Sequence, residues 1–179
     1  MLKRSLLTLL LISFSNLAWT EMAPKLAVHD ADGQRIELPR QHEGADVYLF
    51  WASWCGFCKV VMPEIDKVSS SYGDDVTVFA FQIRDEDMDD PEAFINQLGY
   101  NFEVLPAADG AMEPFGVKGT PGIFVVDGEG RISKNLMLDL KNSIPEDFGS
   151  MDSEAQTNWI QETTRQLLEQ ALDVALERI

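Results

Sequence analysis

Two cysteines separated by two residues are the part of this sequence best suited to chemistry. Cys55 and Cys58 follow a short apolar run and precede a helical pattern, so Cys55 is expected at the amino end of a helix. Unpaired backbone N–H groups and the helix dipole favour a thiolate at that position. A thiolate attacks disulfides, and Cys58 lies one helical turn further on. The pair therefore predicts thiol–disulfide exchange in which Cys55 attacks and Cys58 releases the partner.

Three other uses of the cysteine pair compete with redox chemistry. A zinc site needs two further ligands, and His29 and His42 both precede the pair without a metal-binding spacing. Both histidines are expected instead on the surface of an N-terminal hairpin. A purely structural disulfide would close a very short loop and stabilise the fold weakly. Inert buried thiols are disfavoured by the adjacent Gly56, so redox chemistry is the favoured interpretation.

The segments around the cysteines are predicted to alternate between strands and helices. Continuous apolar runs predict buried strands over 46–51, 76–83 and 122–126. Apolar residues at helical spacing predict a helix over 59–71, which Pro63 should kink. This alternation favours an α/β or α+β domain with a central mixed sheet.

Further elements are predicted on either side of these strands. Asp90, Pro91 and Glu92 form a typical helix start, and that helix should end near Gly99. Ser153 and Gln156 resemble a capping box before a long amphipathic helix. The other expected elements are a hairpin over 25–38, a short strand over 101–105, one or two helical turns over 110–115, a hairpin strand over 131–133 and an irregular polar stretch over 139–151.

Composition and charge restrict the class of function. The 179 residues are 45% hydrophobic, which excludes wholesale disorder and suits a single domain. Thirty acidic residues against 14 basic ones give a net charge of −16. A charge of that sign repels phosphate backbones, so nucleic acid is not expected as a partner.

The first twenty residues have the order of a secretory signal peptide. Lys3 and Arg4 precede an apolar run over 6–14, and small or polar residues follow. The run is well short of the roughly 20 residues that span a bilayer. The alternative is an uncleaved anchor that tethers the protein to a membrane. In both cases the folded domain, expected over 24–179, is predicted in the periplasm or another exported compartment.

Two motifs carry a resemblance to a known family. WASWCGFC followed by KVVMP, and later VKGTPGIFVVD, resemble the thioredoxin superfamily, and more narrowly the exported TlpA/ResA/DsbE (CcmG) branch of thiol–disulfide oxidoreductases. The resemblance covers about residues 25–135. It implies an α/β, thioredoxin-like fold in which helices flank a central mixed sheet, with an N-terminal hairpin, an inserted strand and helix, and a long C-terminal helix.

The resemblance also implies roles for individual residues. Cys55 would attack and Cys58 resolve, and their disulfide would carry the electrons, so no organic cofactor is expected. Pro121 is expected in the cis form against the disulfide, and the backbone of Thr120 would pair with an extended partner peptide. Trp51 is expected in the core. The remaining residues expected in the substrate groove are Trp54, Gly56 and Phe57.

An acidic residue after the second buried strand is a further candidate. The family carries an insertion between the two motifs, matched here by about residues 84–110, and often a buried acid near the active site. Asp85 is the nearest match, and a buried carboxylate there would shuttle protons to Cys58. The alternative is favoured because charged side chains are rarely buried. It places Asp85 in a solvated acidic loop over 85–90.

The chain departs from the family pattern at several positions. Phe57 stands where proline usually precedes the second cysteine, Val61 replaces a common glutamate, and Gly122 replaces a frequent threonine. The helix over 153–178 is longer than that of a minimal thioredoxin. These departures bear on the choice of partner, and Phe57 is expected to affect the redox potential and the docking surface.

The expected function is reduction of protein disulfides in an exported compartment. By resemblance, the partners are protein thiols and disulfides of envelope proteins such as apocytochrome c, and a membrane donor supplies the electrons. One alternative is a disulfide oxidase or isomerase of the same fold, which its reduction potential would reveal. The other is a metal or haem chaperone that uses the thiols as ligands.

Overall fold

The centre of the fold is a buried strand that ends at the cysteine pair. The computed structural model describes residues 21–177, so the predicted signal peptide lies outside the described residues. The elements in chain order are β1 (Leu26–His29), β2 (Arg35–Leu38), β3 (Ala45–Trp51), α1 (Gly56–Ser71), β4 (Val76–Gln82), α2 (Pro91–Gln97), β5 (Glu103–Leu105), β6 (Gly122–Asp127), β7 (Ile132–Asn135), α3 (Leu136–Asn142) and α4 (Ser153–Leu176). Within this range no helix is long and apolar enough to cross a membrane.

Five of the strands form one mixed sheet. Their order is β5-β4-β3-β6-β7, and β1 pairs with β2 in a separate antiparallel hairpin. β3 runs parallel to β4 and antiparallel to β6. All of its residues are buried, as expected for an apolar strand at the centre of a sheet covered on both faces. The carboxyl ends of β3 and β4 and the amino end of β6 therefore meet at one end of the sheet.

Alternate residues of β3 pack into two different cores. Leu49 and Trp51 lie in a core that also contains residues of α1, α2 and α4. Tyr48 and Phe50 face the opposite side, in an aromatic cluster where the Phe50 ring stacks on Phe81 at 4.6 Å between centroids. Burial of each large side chain contributes about 1.5–3 kcal/mol, so β3 is held firmly from both faces.

The long C-terminal helix packs against the helix that starts at the cysteines. Tyr72, the C-cap of α1, donates its hydroxyl proton to the Asp173 carboxylate at 2.7 Å on α4. Partial burial and this hydrogen bond raise the pKa of Tyr72 to about 12, so the hydroxyl stays a donor at neutral pH. The predicted strands, the helix start at Asp90 and the long C-terminal helix are all confirmed.

Two local predictions near the C-terminus are wrong. The stretch over 139–151, expected to be irregular, overlaps α3, because Asn135 caps this helix by accepting the Leu138 N–H at 3.2 Å. α4 is capped by Asp152 rather than by Ser153, since the Asp152 carboxylate accepts the Ala155 N–H at 2.8 Å. In both cases the side chain that caps the helix is the residue directly before its first turn.

Asp46, near the amino end of β3, is a buried charge that holds the preceding loop. Its side chain is 1% exposed, accepts a hydrogen bond from Arg40 at 2.7 Å and lies 3.2 Å from His42 Nε2. His42 therefore contacts a core carboxylate, and its predicted place on the hairpin surface is wrong. Burial raises the pKa of Asp46, and the Arg40 and His42 side chains oppose that rise.

Removal of Arg40 should destabilise the protein more than neutralisation of Asp46. Arg40→Met leaves a buried carboxylate without its main partner, so we expect the free energy of unfolding to fall by about 2 kcal/mol at pH 7. Asp46→Asn removes the charge that burial penalises, so its cost should be smaller. Chemical denaturation measures both, and Arg35→Met, which removes an exposed ion pair with Glu37, is the matched control.

The pH dependence separates this explanation from general loss of packing. Because burial raises the folded-state pKa of Asp46, its protonation favours the folded state, and this contribution disappears as pH rises through that pKa. Loss of Arg40 raises the pKa further, so the deficit of Arg40→Met should shrink between pH 7 and pH 4. A constant deficit, or a larger one for Asp46→Asn, would contradict the role given to Arg40.

Candidate active site

The two cysteines form a disulfide where β3 passes into α1. Cys55 is the N-cap of α1 and Cys58 lies in its first turn, with their Cα atoms 5.3 Å apart. The Cys58 N–H donates to Cys55 Sγ at 3.0 Å. The sulfur thus takes the position of a capping oxygen, where the helix start favours negative charge. Cys55 therefore lies at a helix start, as predicted, although the helix begins at Gly56 rather than at 59.

The two cysteines differ in their access to solvent. Cys55 is 4% exposed, and Cys58 is completely buried. The adjacent Gly56 is exposed, and a Cβ added there would meet no atom within 4 Å. Phe57 is half-buried against the core. Cys55 thus keeps a small exposed fraction beside the exposed Gly56, whereas Cys58 has none.

Trp54 and Arg84 connect the cysteine turn to two other loops. The Trp54 side chain is 59% exposed, and its indole N–H donates to the Arg84 carbonyl at 2.8 Å. Arg84 has a φ of 52°, uncommon for a residue other than glycine. Its guanidinium donates to the Lys118 carbonyl at 3.1 Å, and Asp109 accepts its backbone N–H at 3.0 Å. Sequence reasoning missed Arg84, because both partners are distant in sequence.

Asp85 is buried at the base of the same turn. It is 9% exposed, and its Oδ2 accepts the Ser53 N–H at 2.6 Å. The favoured interpretation, that Asp85 belongs to a solvated loop, is therefore wrong, because the Ser53 donor compensates for burial of the carboxylate. The other acidic residues of the loop are exposed, namely Glu86, Asp87, Asp89 and Asp90.

A buried amide behind Asp85 also went unrecognised in the sequence. Gln82 Nε2 donates to the Asp85 carbonyl at 2.9 Å, and Gln82 Oε1 accepts the Ala107 N–H at 2.9 Å. The side chain therefore joins the loop after β4 to the segment that follows β5. The available signal was a single polar residue near the end of the apolar run over 76–83.

The loop before β6 completes this end of the sheet. The Thr120–Pro121 peptide bond is cis, as predicted. Gly122 pairs with Phe50, so Pro121 lies beside the end of β3 that leads to Cys55. A Cβ added to Gly122 would lie 3.1 Å from Val117 Cγ2 and 3.3 Å from Phe50 Cβ. This close packing accounts for glycine where the family often has threonine.

Comparison with known proteins identifies relatives of this arrangement. Residues 19–135 match the AhpC/TSA family. The thiol-disulfide oxidoreductase ResA of Bacillus anthracis is 29% identical over 118 residues, which cover 64% of this chain and 67% of the relative. ResA of Bacillus subtilis is 25% identical over 139 residues, which cover 76% of each chain. These relatives support the predicted resemblance to the ResA branch.

Solved structures identify the fold. A thiol:disulfide interchange protein of the thioredoxin family from Chlorobium tepidum covers 89% of this chain with a TM-score of 0.63 and 17% identity, over 98% of its own length. The thioredoxin domain of a thiol-disulfide oxidoreductase from Bacteroides vulgatus covers 65%, with a TM-score of 0.55 and 23% identity, over 86% of its own length. The predicted thioredoxin-like fold is thereby confirmed.

The chemistry of a C-x-x-C at a helix start agrees with the activity for which the sequence relatives are named. The family match also extends over more than half of the chain. The chain therefore belongs to the AhpC/TSA family, as a thiol–disulfide oxidoreductase of the thioredoxin fold.

Proposed function

We propose that this oxidoreductase reduces disulfides in envelope proteins, including apocytochrome c during its maturation, in the periplasm or another exported compartment. The main support is the position of the pair at the start of α1, where Cys55 is the N-cap and accepts the Cys58 N–H, which suits a nucleophilic Cys55 with Cys58 as the resolving thiol behind it. Export is inferred from Lys3, Arg4 and the apolar run over 6–14. A membrane electron donor and an N-terminal tether belong to the same proposal.

The reaction transfers two electrons from the cysteine pair to the partner. The Cys55 thiolate attacks one sulfur of the partner disulfide, whose S–S bond breaks, and the other partner sulfur leaves as a thiolate and takes up a proton. Cys58 then loses its proton and attacks Cys55 Sγ in the mixed disulfide. The partner leaves with both cysteines reduced, and the Cys55–Cys58 disulfide is reduced in turn by a dithiol of the membrane donor.

The substrate groove is formed by the loops on either side of Cys55. The partner backbone pairs with Thr120 in an extended conformation next to Pro121. Trp54, Gly56 and Phe57 form the opposite wall. Because the Trp54 indole is already hydrogen-bonded to the Arg84 carbonyl, its exposed ring loses little conformational freedom when a partner binds.

Asp85 accepts the proton that Cys58 loses in this scheme. Its burial and its hydrogen bond to the Ser53 N–H at 2.6 Å support the role, because they hold a carboxylate under the turn that leads to Cys55. A base in that position would speed the resolving step, in which Cys58 must become a thiolate.

Cys58→Ala should trap the physiological partners. Without the resolving thiol, mixed disulfides through Cys55 persist, so we expect reductant-sensitive conjugates in cells, identifiable by mass spectrometry as exported proteins. Cys55→Ala is the matched control and should trap none, because Cys58 is completely buried. Equal trapping by both variants would contradict the assigned roles, and trapping of cytoplasmic proteins alone would contradict the assigned compartment.

The reduction potential should be that of a reductant. Equilibration of the purified protein with dithiothreitol or glutathione buffers is expected to give a value below about −200 mV, in the range of glutaredoxins and thioredoxin. A value near −120 mV, typical of strong periplasmic oxidants, would reject the proposed direction and favour the oxidase.

Asp85→Asn should slow the resolving step selectively. Asparagine still accepts the Ser53 N–H, so the turn keeps its support, but it cannot take up the proton. We expect release from the mixed disulfide to slow by roughly 10- to 100-fold at pH 7, with a smaller deficit at higher pH, where Cys58 ionises without help. Stopped-flow fluorescence measures this step, and Glu86→Gln is the exposed control. An unchanged rate and pH profile would reduce Asp85 to a positioning residue.

A further inference from the structure

A cleft opens between α1 and α2, beside the turn that leads to Cys55. Its volume is about 170 Å³, and most of its lining is apolar. One wall is a stacked pair, with the ring centroids of Trp51 and Phe94 5.6 Å apart. Leu98 borders the cleft with 45% of its surface exposed. The other lining residues used below are Met62, Tyr100 and Lys59.

The size of the cleft matches one large side chain. Sites for cofactors and drug-sized ligands usually measure about 300–1,000 Å³, so a cavity of 170 Å³ is too small for them. The aromatic rings of Phe94 and Tyr100 line it, and aromatic side chains prefer stacked or edge-to-face contacts with other rings. An aromatic side chain is therefore the occupant that the lining fits best.

The cleft lies within reach of a peptide bonded to Cys55. Lys59 donates its backbone N–H to the Cys55 carbonyl at 3.3 Å, one helical turn away. At about 1.5 Å per helical residue, Lys59 and Met62 lie roughly 6 and 10 Å along α1 from Cys55. An extended peptide advances about 3.3 Å per residue. The cleft is thus two or three residues from a substrate cysteine held at Cys55.

The charge beside the cleft favours a carboxylate. Lys59 is exposed. Among residues 21–177, Lys59 takes part in none of the ion pairs that form within 4.0 Å. An unpaired lysine at the edge of an apolar cleft favours a bound peptide that has an acidic residue next to the side chain in the cleft.

We propose that this cleft is a specificity pocket for the protein substrate. It takes an aromatic side chain two or three residues from the substrate cysteine, and an adjacent carboxylate pairs with Lys59. This inference rests on the proposed function for its substrate, but it assigns a recognition site outside the groove formed by Trp54, Thr120 and Pro121.

Two non-reactive peptides test the pocket. Both carry serine in place of the substrate cysteine, one as Ser-Gly-Phe-Glu and the other as Ser-Gly-Ser-Glu, within otherwise identical neutral flanks. Titration into ¹⁵N-labelled oxidised protein should show about 10-fold tighter binding of the phenylalanine peptide, with shifts at the Lys59 and Leu98 amides. A third peptide with glutamine for glutamate should bind about threefold more weakly than its parent, because it lacks the ion pair.

Matched variants locate the effect. Leu98→Gln should reduce the phenylalanine preference below about threefold, and its exposure makes the change tolerable for folding. Leu138→Gln alters a similarly exposed leucine (57%) on α3, which follows the strand at the opposite edge of the sheet, and should keep the preference. Lys59→Gln should abolish the glutamate preference, whereas Lys141→Gln on α3 should not.

Each outcome either supports or overturns the pocket. Equal affinity for the first two peptides, or a preference that survives Leu98→Gln, would overturn it. Dimerisation in sedimentation that Leu98→Gln abolishes would assign the cleft to a second copy of the chain and overturn it as well. Turnover of the cysteine-containing peptides, supplied as glutathione mixed disulfides, tests the proposed function separately. If the phenylalanine peptide binds preferentially but is not reduced, the pocket stands and the reductase is rejected. If both peptides are reduced without any preference, the reductase stands and the pocket is rejected.

Discussion

The redox site depends on one strand that is hydrogen-bonded along both edges. β3 pairs with β4 in parallel and with β6 in antiparallel register, and its side chains are buried on both faces. Because of these directions, the chain leaves β3 and β4, and enters β6, at the same end of the sheet. Trp54, Arg84 and Pro121 come from three distant parts of the sequence, yet all three lie around the turn that carries Cys55. The position of the nucleophile is thus fixed by a strand that is paired on both sides and buried along its whole length.

The buried carboxylates within residues 21–177 each accept a hydrogen bond, and the kind of donor differs from one to the next. Asp46 is paired with the charged Arg40, which opposes its protonation and fixes the loop before β3. Asp127 accepts the Glu129 and Arg131 backbone N–H groups and closes the turn between β6 and β7. Asp85 accepts one neutral N–H near the cysteines. A neutral backbone donor compensates for the burial of this carboxylate and ties the loop after β4 to the turn before Cys55.

The sequence predicts what is encoded locally. A central strand covered on both faces is mostly apolar, so continuous apolar runs are enough to locate β3, β4 and β6, and motif spacing is enough to find the cysteines and Pro121. The missed features depend on partners elsewhere in the chain. Burial of Asp85 is explained by a backbone N–H at Ser53, and the conformation of Arg84 is supported by the Lys118 carbonyl. No periodicity in the sequence reports such contacts.

The proposed specificity pocket would place partner choice on α2, apart from the turn that carries the redox chemistry. Thiolate formation at Cys55 depends on the start of α1, where the Cys58 N–H meets the sulfur. α2 contributes nothing to that contact, but Phe94 supports the end of β3 by stacking on Trp51, and together with Leu98 it forms a wall of the adjacent cleft. A change on the exposed side of α2 therefore alters the surface that a partner meets while the backbone that activates the thiol stays in place. If the pocket binds the substrate as proposed, substitutions at Phe94 or Leu98 would change substrate preference and leave the helix start at Cys55 unchanged.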